Sequence, residues 1–146
     1  MSHNNISKIN GAFFRPAEGS LVSLDLSFNF ITVILDLNSH EKPIIIEFLQ
    51  NTSRDIFGNF YKLQQLDLSD NFINYIAPDS FRNTRRLQMI DLHQNEIKEL
   101  GAETWRNQGD LRIVNLSFNN IHNFIDSFFV SDDLEKLDLS NNFLSR

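Results

Sequence analysis

Leu63-Gln-Gln-Leu66-Asp-Leu68-Ser-Asp-Asn71 is followed, 24 residues on, by Leu87-Gln-Met-Ile90-Asp-Leu92-His-Gln-Asn95. Leu111-Arg-Ile-Val114-Asn-Leu116-Ser-Phe-Asn119 comes after another 24, and Leu134-Glu-Lys-Leu137-Asp-Leu139-Ser-Asn-Asn142 after 23. An earlier segment, Leu21-Val-Ser-Leu24-Asp-Leu26-Ser-Phe-Asn29, has the same form. All five read L-x-x-L-x-L-x-x-N, with Ile90 and Val114 taking the second Leu place in two of them, and Ile or Leu two residues further on. Self-similarity at such a period specifies stacked copies of one supersecondary unit, each burying its apolar face against the next.

Within each unit the fourth and sixth positions flank a single residue, the period-two alternation of a short strand buried on one face. Leu24/Leu26, Leu66/Leu68, Ile90/Leu92, Val114/Leu116 and Leu137/Leu139 are thus expected to point inward. One strand per unit, returned each time to the same edge, predicts a parallel sheet. The Asn at the ninth position (Asn29, Asn71, Asn95, Asn119, Asn142) carries two donors and an acceptor oxygen at the strand exit. It is expected to bond backbone groups of its own and the adjacent unit, a structural ladder. Six residues before the starts at Leu63, Leu87, Leu111 and Leu134 stands an aromatic: Phe57, Phe81, Trp105 and Phe128, with Phe129 beside the last. These predict a second apolar spine, with Trp105 a core residue.

This 24-residue pattern, with its Leu-Asp-Leu-Ser-x-Asn strand and aromatic spine, resembles the typical class of leucine-rich repeats found in extracellular adhesion proteins and receptor ectodomains. The resemblance covers nearly the whole chain apart from residues 33–50. It implies an α/β repeat solenoid: a horseshoe segment with a concave parallel β-sheet and a mostly irregular or short-helical convex side. The Ser2-His-Asn-Asn-Ile6 start and the Gly19-Ser20-Leu21 stretch, which lengthens its repeat by one residue, are similar to the chaoptin-like family of insect photoreceptor cell-adhesion proteins. That likeness implies a glycosylated protein at the cell surface, or extracellular, in its full-length form.

A single array over 1–146 is expected, with partial repeats at both ends, since Met1 to Ile6 matches the tail of the signature and Arg146 interrupts a repeat. The ends therefore suggest a fragment of a longer array. Leu21 and Leu63 are 42 residues apart, and removing the 18 residues Val33 to Gln50 restores a spacing of 24. Three explanations stay open for that segment. It is a degenerate repeat with Ile46, Phe48 and Asn51 in register, a loop excursion with a binding use, or a retained intron. Val codons begin with GT and Gln can be encoded by CAG, so 18 codons would make a splice-like 54 nucleotides.

Leucine-rich repeat arrays imply binding through the concave face. Its central column reads Asp25, Asp67, Asp91, Asn115 and Asp138, flanked by Ser23, Gln65, Met89, Ile113 and Lys136, and by Ser27, Ser69, His93, Ser117 and Ser140. The candidate partner strip is Asp67, Met89, Asp91, His93, Ile113 and Asn115, suited to a basic or mixed protein partner or to homophilic contact. A plainer reading makes the Asp column a preference of the repeat itself. Charge reversal at Asp67 and Asp91 together is expected to weaken binding without unfolding. Three Asn-x-Ser/Thr triplets, at Asn5, Asn51 and Asn115, are candidate glycan acceptors.

Other classes lack support. A net charge of -6 and pI near 5.1 give no footprint for nucleic acid. No run approaches the ~18–20 apolar residues of a membrane span, and no signal peptide precedes the repeats, so direct membrane insertion by this segment is not expected. Zero cysteines exclude thiol catalysis and cysteine-ligated zinc. His3, His40, His93 and His122 form no metal-ligand spacing, and no catalytic or cofactor motif occurs. No enzyme activity, cofactor or metal is therefore assigned. The alternatives to adhesion or receptor recognition are a cytosolic signalling scaffold, or the substrate-recognition part of an enzyme whose catalytic domain lies elsewhere.

Overall fold

A computed structural model describes residues 4–7, 9, 14, 16–17, 19–34, 57, 60–77, 80–101, 104–105, 107–123 and 131–144. Five three-residue strands follow the repeat: β1 (Ser23–Asp25), β3 (Gln65–Asp67), β5 (Met89–Asp91), β6 (Ile113–Asn115) and β7 (Lys136–Asp138). Two shorter ones, β2 (Val33–Ile34) and β4 (Tyr75–Ile76), lie on the returns. The five form one parallel sheet in the order β1-β3-β5-β6-β7, and β2 pairs with β4 in a second. Equivalent residues sit on the same rung throughout: Leu24 pairs with Leu66, Leu66 with Ile90, Ile90 with Val114, and Val114 with Leu137.

Burial follows the alternation read from the sequence. Leu24, Leu26, Leu66, Leu68, Ile90, Leu92, Val114 and Leu116 are buried. Leu137 and Leu139 are only partly buried, because β7 is the edge strand and is covered from one side. The isoleucines two places after the ladder Asn (Ile31, Ile73, Ile97, Ile121) extend this core. Among the described residues the returns are built from turns and the β2–β4 pair, with no α-helix.

The aromatic spine is present where it is described. Phe57 stacks on Phe81 with ring centroids 5.6 Å apart, and Phe81 on Trp105 at the same distance, all three fully buried. Phe60 and Phe14 continue it toward the first repeat. Phe14 lies seven places before Leu21 instead of six, in keeping with the extra residue of that repeat. Phe128 and Phe129 lie outside the described residues.

Over the 42 residues from Leu21 to Leu63 the sheet advances by one rung, since β1 is hydrogen-bonded directly to β3. Val33 and Ile34, the first two residues of the segment whose removal restores the spacing, pair with Tyr75 and Ile76 and so keep the register of the repeat. Residues 35–56 lie outside the described residues.

Candidate functional site

Two of the three expected columns lie on the open sheet face; in the third, Ser27, Ser69 and Ser117 are buried beneath the strand exits, and only His93 and the edge residue Ser140 reach solvent. Parallel register sets Gln65 beside Met89, Met89 beside Ile113, and Ile113 beside Lys136. Met89 is exposed and Ile113 half-buried, so an apolar contact opens onto solvent in the middle of the sheet.

The central column has a structural duty that the sequence did not disclose. Asp25 Oδ1 accepts from the Ser27 amide at 2.9 Å and from the Ser27 hydroxyl at 2.6 Å. Asp67 does the same with Ser69, Asn115 with Ser117, and Asp138 with Ser140. Each of these side chains, the three carboxylates and the Asn115 amide, therefore fastens the strand exit through one oxygen, as a short polar side chain does when it bonds backbone two residues on. At Asp138 the Ser140 hydroxyl, then its amide, hold the carboxyl below the usual aspartate range; slight desolvation opposes this and Lys136 adds to it.

The central rung departs from the pattern, because His93 replaces Ser. The Asp91 Oδ1 accepts from the His93 amide at 2.9 Å and lies 2.8 Å from the ring Nδ1, while the ring Nε2 lies 3.4 Å from Asp70 Oδ2. Asn115 Nδ2 donates to Asp91 Oδ2 at 3.3 Å. Asp70, His93, Asp91 and Asn115 thus form one connected group at the centre of the sheet. Asp70 is the member that sequence reasoning missed: it stands one place before its ladder Asn, a position with no strand alternation to flag it.

Behind this face the Asn ladder fixes the strand exits. Asn95 Oδ1 accepts from the Ile73 amide at 2.9 Å, and its Nδ2 donates to the carbonyls of Leu68, Leu92 and His93. Asn71 and Asn119 repeat the arrangement one rung away. Of the glycan candidates, Asn5 is exposed, Asn51 lies outside the described residues, and Asn115 has both side-chain polar atoms engaged as above. No helix among the described residues is long and apolar enough to cross a membrane.

Comparison with known proteins agrees with this geometry. A leucine rich repeat family model matches residues 47–97. Chaoptin of Drosophila melanogaster is 43% identical over 67 residues, which is 46% of this chain and 4% of chaoptin's length. The crystal structure of the leucine-rich repeat domain of APL1B superposes over 99% of this chain and 38% of that one, with a TM-score of 0.70 at 20% identity. That superposition bears on the fold alone.

Proposed function

We propose that this leucine-rich repeat array is a protein-interaction module that recognises its partner with the exposed face of its five-stranded sheet, and that it serves adhesion or receptor-type recognition at the cell surface. The observation that carries this reading is the pre-alignment of the face. Side chains from five strands stand in register, and the acids of the central column are each tied at one oxygen by the residue two places on. Groups held in place before binding lose little conformational entropy on association, and that is what a recognition surface requires. Met89 and Ile113 supply an apolar centre, with Asp67, Asp91, His93 and Asn115 around it, a layout suited to a partner bearing basic and apolar groups. The likeness to chaoptin supports the adhesion part of the reading. For glycosylation we favour Asn5, because a glycan on Asn115 would break its bond to Asp91.

The side-chain bonds also change the test. Reversing the charge of Asp67 and Asp91 would remove the strand-exit bonds together with the charge. Asn115 shows that an amide makes the same two bonds, so Asp67→Asn with Asp91→Asn removes two charges and keeps both Oδ1 acceptors, losing only the bond from Asn115 Nδ2 to Asp91 Oδ2. Binding of the fluorescently labelled chain to insect cell surfaces is expected to fall about 10-fold or more, as loss of two charge-assisted contacts would give, with the folded circular dichroism spectrum retained. Equal binding by the doubly substituted chain would refute the sheet face as the recognition surface.

A further inference from the structure

Where each strand of the sheet turns into the buried loop, the residue before the ladder Asn has a left-handed backbone: Phe28 at φ 53°, Asp70 at 52°, Gln94 at 54°, Phe118 at 55° and Asn141 at 55°. Asn and Asp tolerate this conformation, whereas a bulky aromatic does so at a cost. Phe118 adopts it while 56% exposed, so burial offsets little of that cost. A strained, exposed aromatic points to a use outside folding.

The next column along this flank, two places further in the chain, is Phe30, Phe72, Glu96, Asn120 and Phe143. It is aligned by backbone bonds from Phe72 to Ile31, Glu96 to Ile73, Asn120 to Ile97 and Phe143 to Ile121. Phe30 and Phe72 are stacked and exposed at one end, with centroids 5.8 Å apart. At the other, exposed Phe143 stacks on His122 at 5.3 Å, one rung from Phe118. Between the two aromatic clusters lie exposed Glu96, half-buried Asn120 and, two places after Glu96, exposed Lys98; on the adjoining sheet face Asp91 stands on the rung of Glu96 and Asp67 on that of Phe72.

We propose that this aromatic rim is a docking strip for an extended partner segment in which apolar side chains alternate with arginines, a deepening that rests on the sheet-face reading above. Charge selects the occupant. A second copy, itself at -6, would set acids against acids, whereas guanidinium groups match the acidic interval and stack on phenyl faces. Spacing selects its form. Phe72 and Phe143 are three rungs apart, roughly 14 Å at the usual strand separation, which about four residues of extended chain span.

The test is fluorescence polarisation with a 12-residue peptide alternating arginine and leucine, against versions with serine for leucine and glutamate for arginine. The arginine–leucine peptide is expected to bind about 10-fold tighter than either control. Phe118→Asn and Phe72→Ser are each expected to weaken it about 5-fold. Phe118→Asn is also expected to raise the melting midpoint by about 2–4 °C, by relieving the left-handed Phe. No preference for the arginine–leucine peptide, or binding unaffected by both Phe substitutions, overturns the rim. The sheet-face reading is judged separately, on cells with the doubly Asn-substituted chain. Phe-dependent binding to phosphatidylcholine vesicles would overturn the proposal in favour of a lipid surface. Phe-dependent dimerisation in sedimentation would do so in favour of a second copy.

Discussion

Replacing Asn95 with Ala removes four hydrogen bonds at once, and the structure shows which losses matter. The carbonyls do not become orphans. Leu68 O keeps a donor in Asn71 Nδ2, Leu92 O keeps Asn119 Nδ2, and His93 O keeps the Asp70 amide. The Ile73 amide has Asn95 Oδ1 as its acceptor, at a site only 8% exposed, and is left buried and unpaired. One orphaned buried donor costs about 1–3 kcal/mol, and three weakened acceptors place the loss in the upper half of that range, about 2–3 kcal/mol. For a chain of 146 residues that lowers the thermal midpoint by roughly 6–10 °C. Asn142 makes the same set of bonds on the edge rung, where it is only partly buried. Water can replace them there, so Asn142→Ala is expected to cost less than about 1 kcal/mol. Urea denaturation followed by circular dichroism gives both values. Equal costs for the two substitutions, or an unchanged midpoint for Asn95→Ala, would refute the ladder as the source of stability.

Trp105→Ala opens a void against Phe81 in the buried aromatic spine, and is expected to cost about 3–5 kcal/mol in chemical denaturation. Ser140→Ala removes the strongest influence that lowers the Asp138 carboxyl, so its NMR titration midpoint should move up toward the ordinary aspartate value. Because that carboxyl lies lower in the folded than in the unfolded chain, its stabilising contribution is present above the usual aspartate range and disappears as pH falls through the folded value. In the Ser140→Ala chain the acid dependence of stability in that window should be shallower.

Leu66 and Leu68, or Ile90 and Leu92, could be placed from the sequence because stacking imposes one spacing on every rung, and burial of the strand face admits little but aliphatic side chains. The same logic found Phe81 and Trp105 beneath the returns. Phe14 escaped it, because one extra residue in its repeat shifts the spacing from six to seven. The bonding of Asp67 Oδ1 to Ser69 was not legible for a different reason. An Asp between two leucines on a strand reads as solvent-facing charge, and only the turn geometry brings the amide and hydroxyl two places on within reach of one oxygen. The contact of Asp70 with His93 depends on a left-handed residue placing its side chain over the neighbouring rung, which no periodicity encodes. Phe118 is legible as apolar and blind as to conformation: its φ of 55° belongs to the turn and not to the residue.

The claim that the exposed sheet face recognises a protein partner is tested most directly by site-specific photo-crosslinking. A photoreactive side chain at Ile113, in the centre of the face, is compared with one at exposed Arg82 on a return segment. Both chains are irradiated on intact cells, and the crosslinked cell-surface proteins are separated by mass. Transfer to a discrete surface protein from position 113, weak or absent from position 82 and competed by unlabelled chain, is the predicted result. Equal labelling from both positions, or labelling from 82 alone, would contradict it.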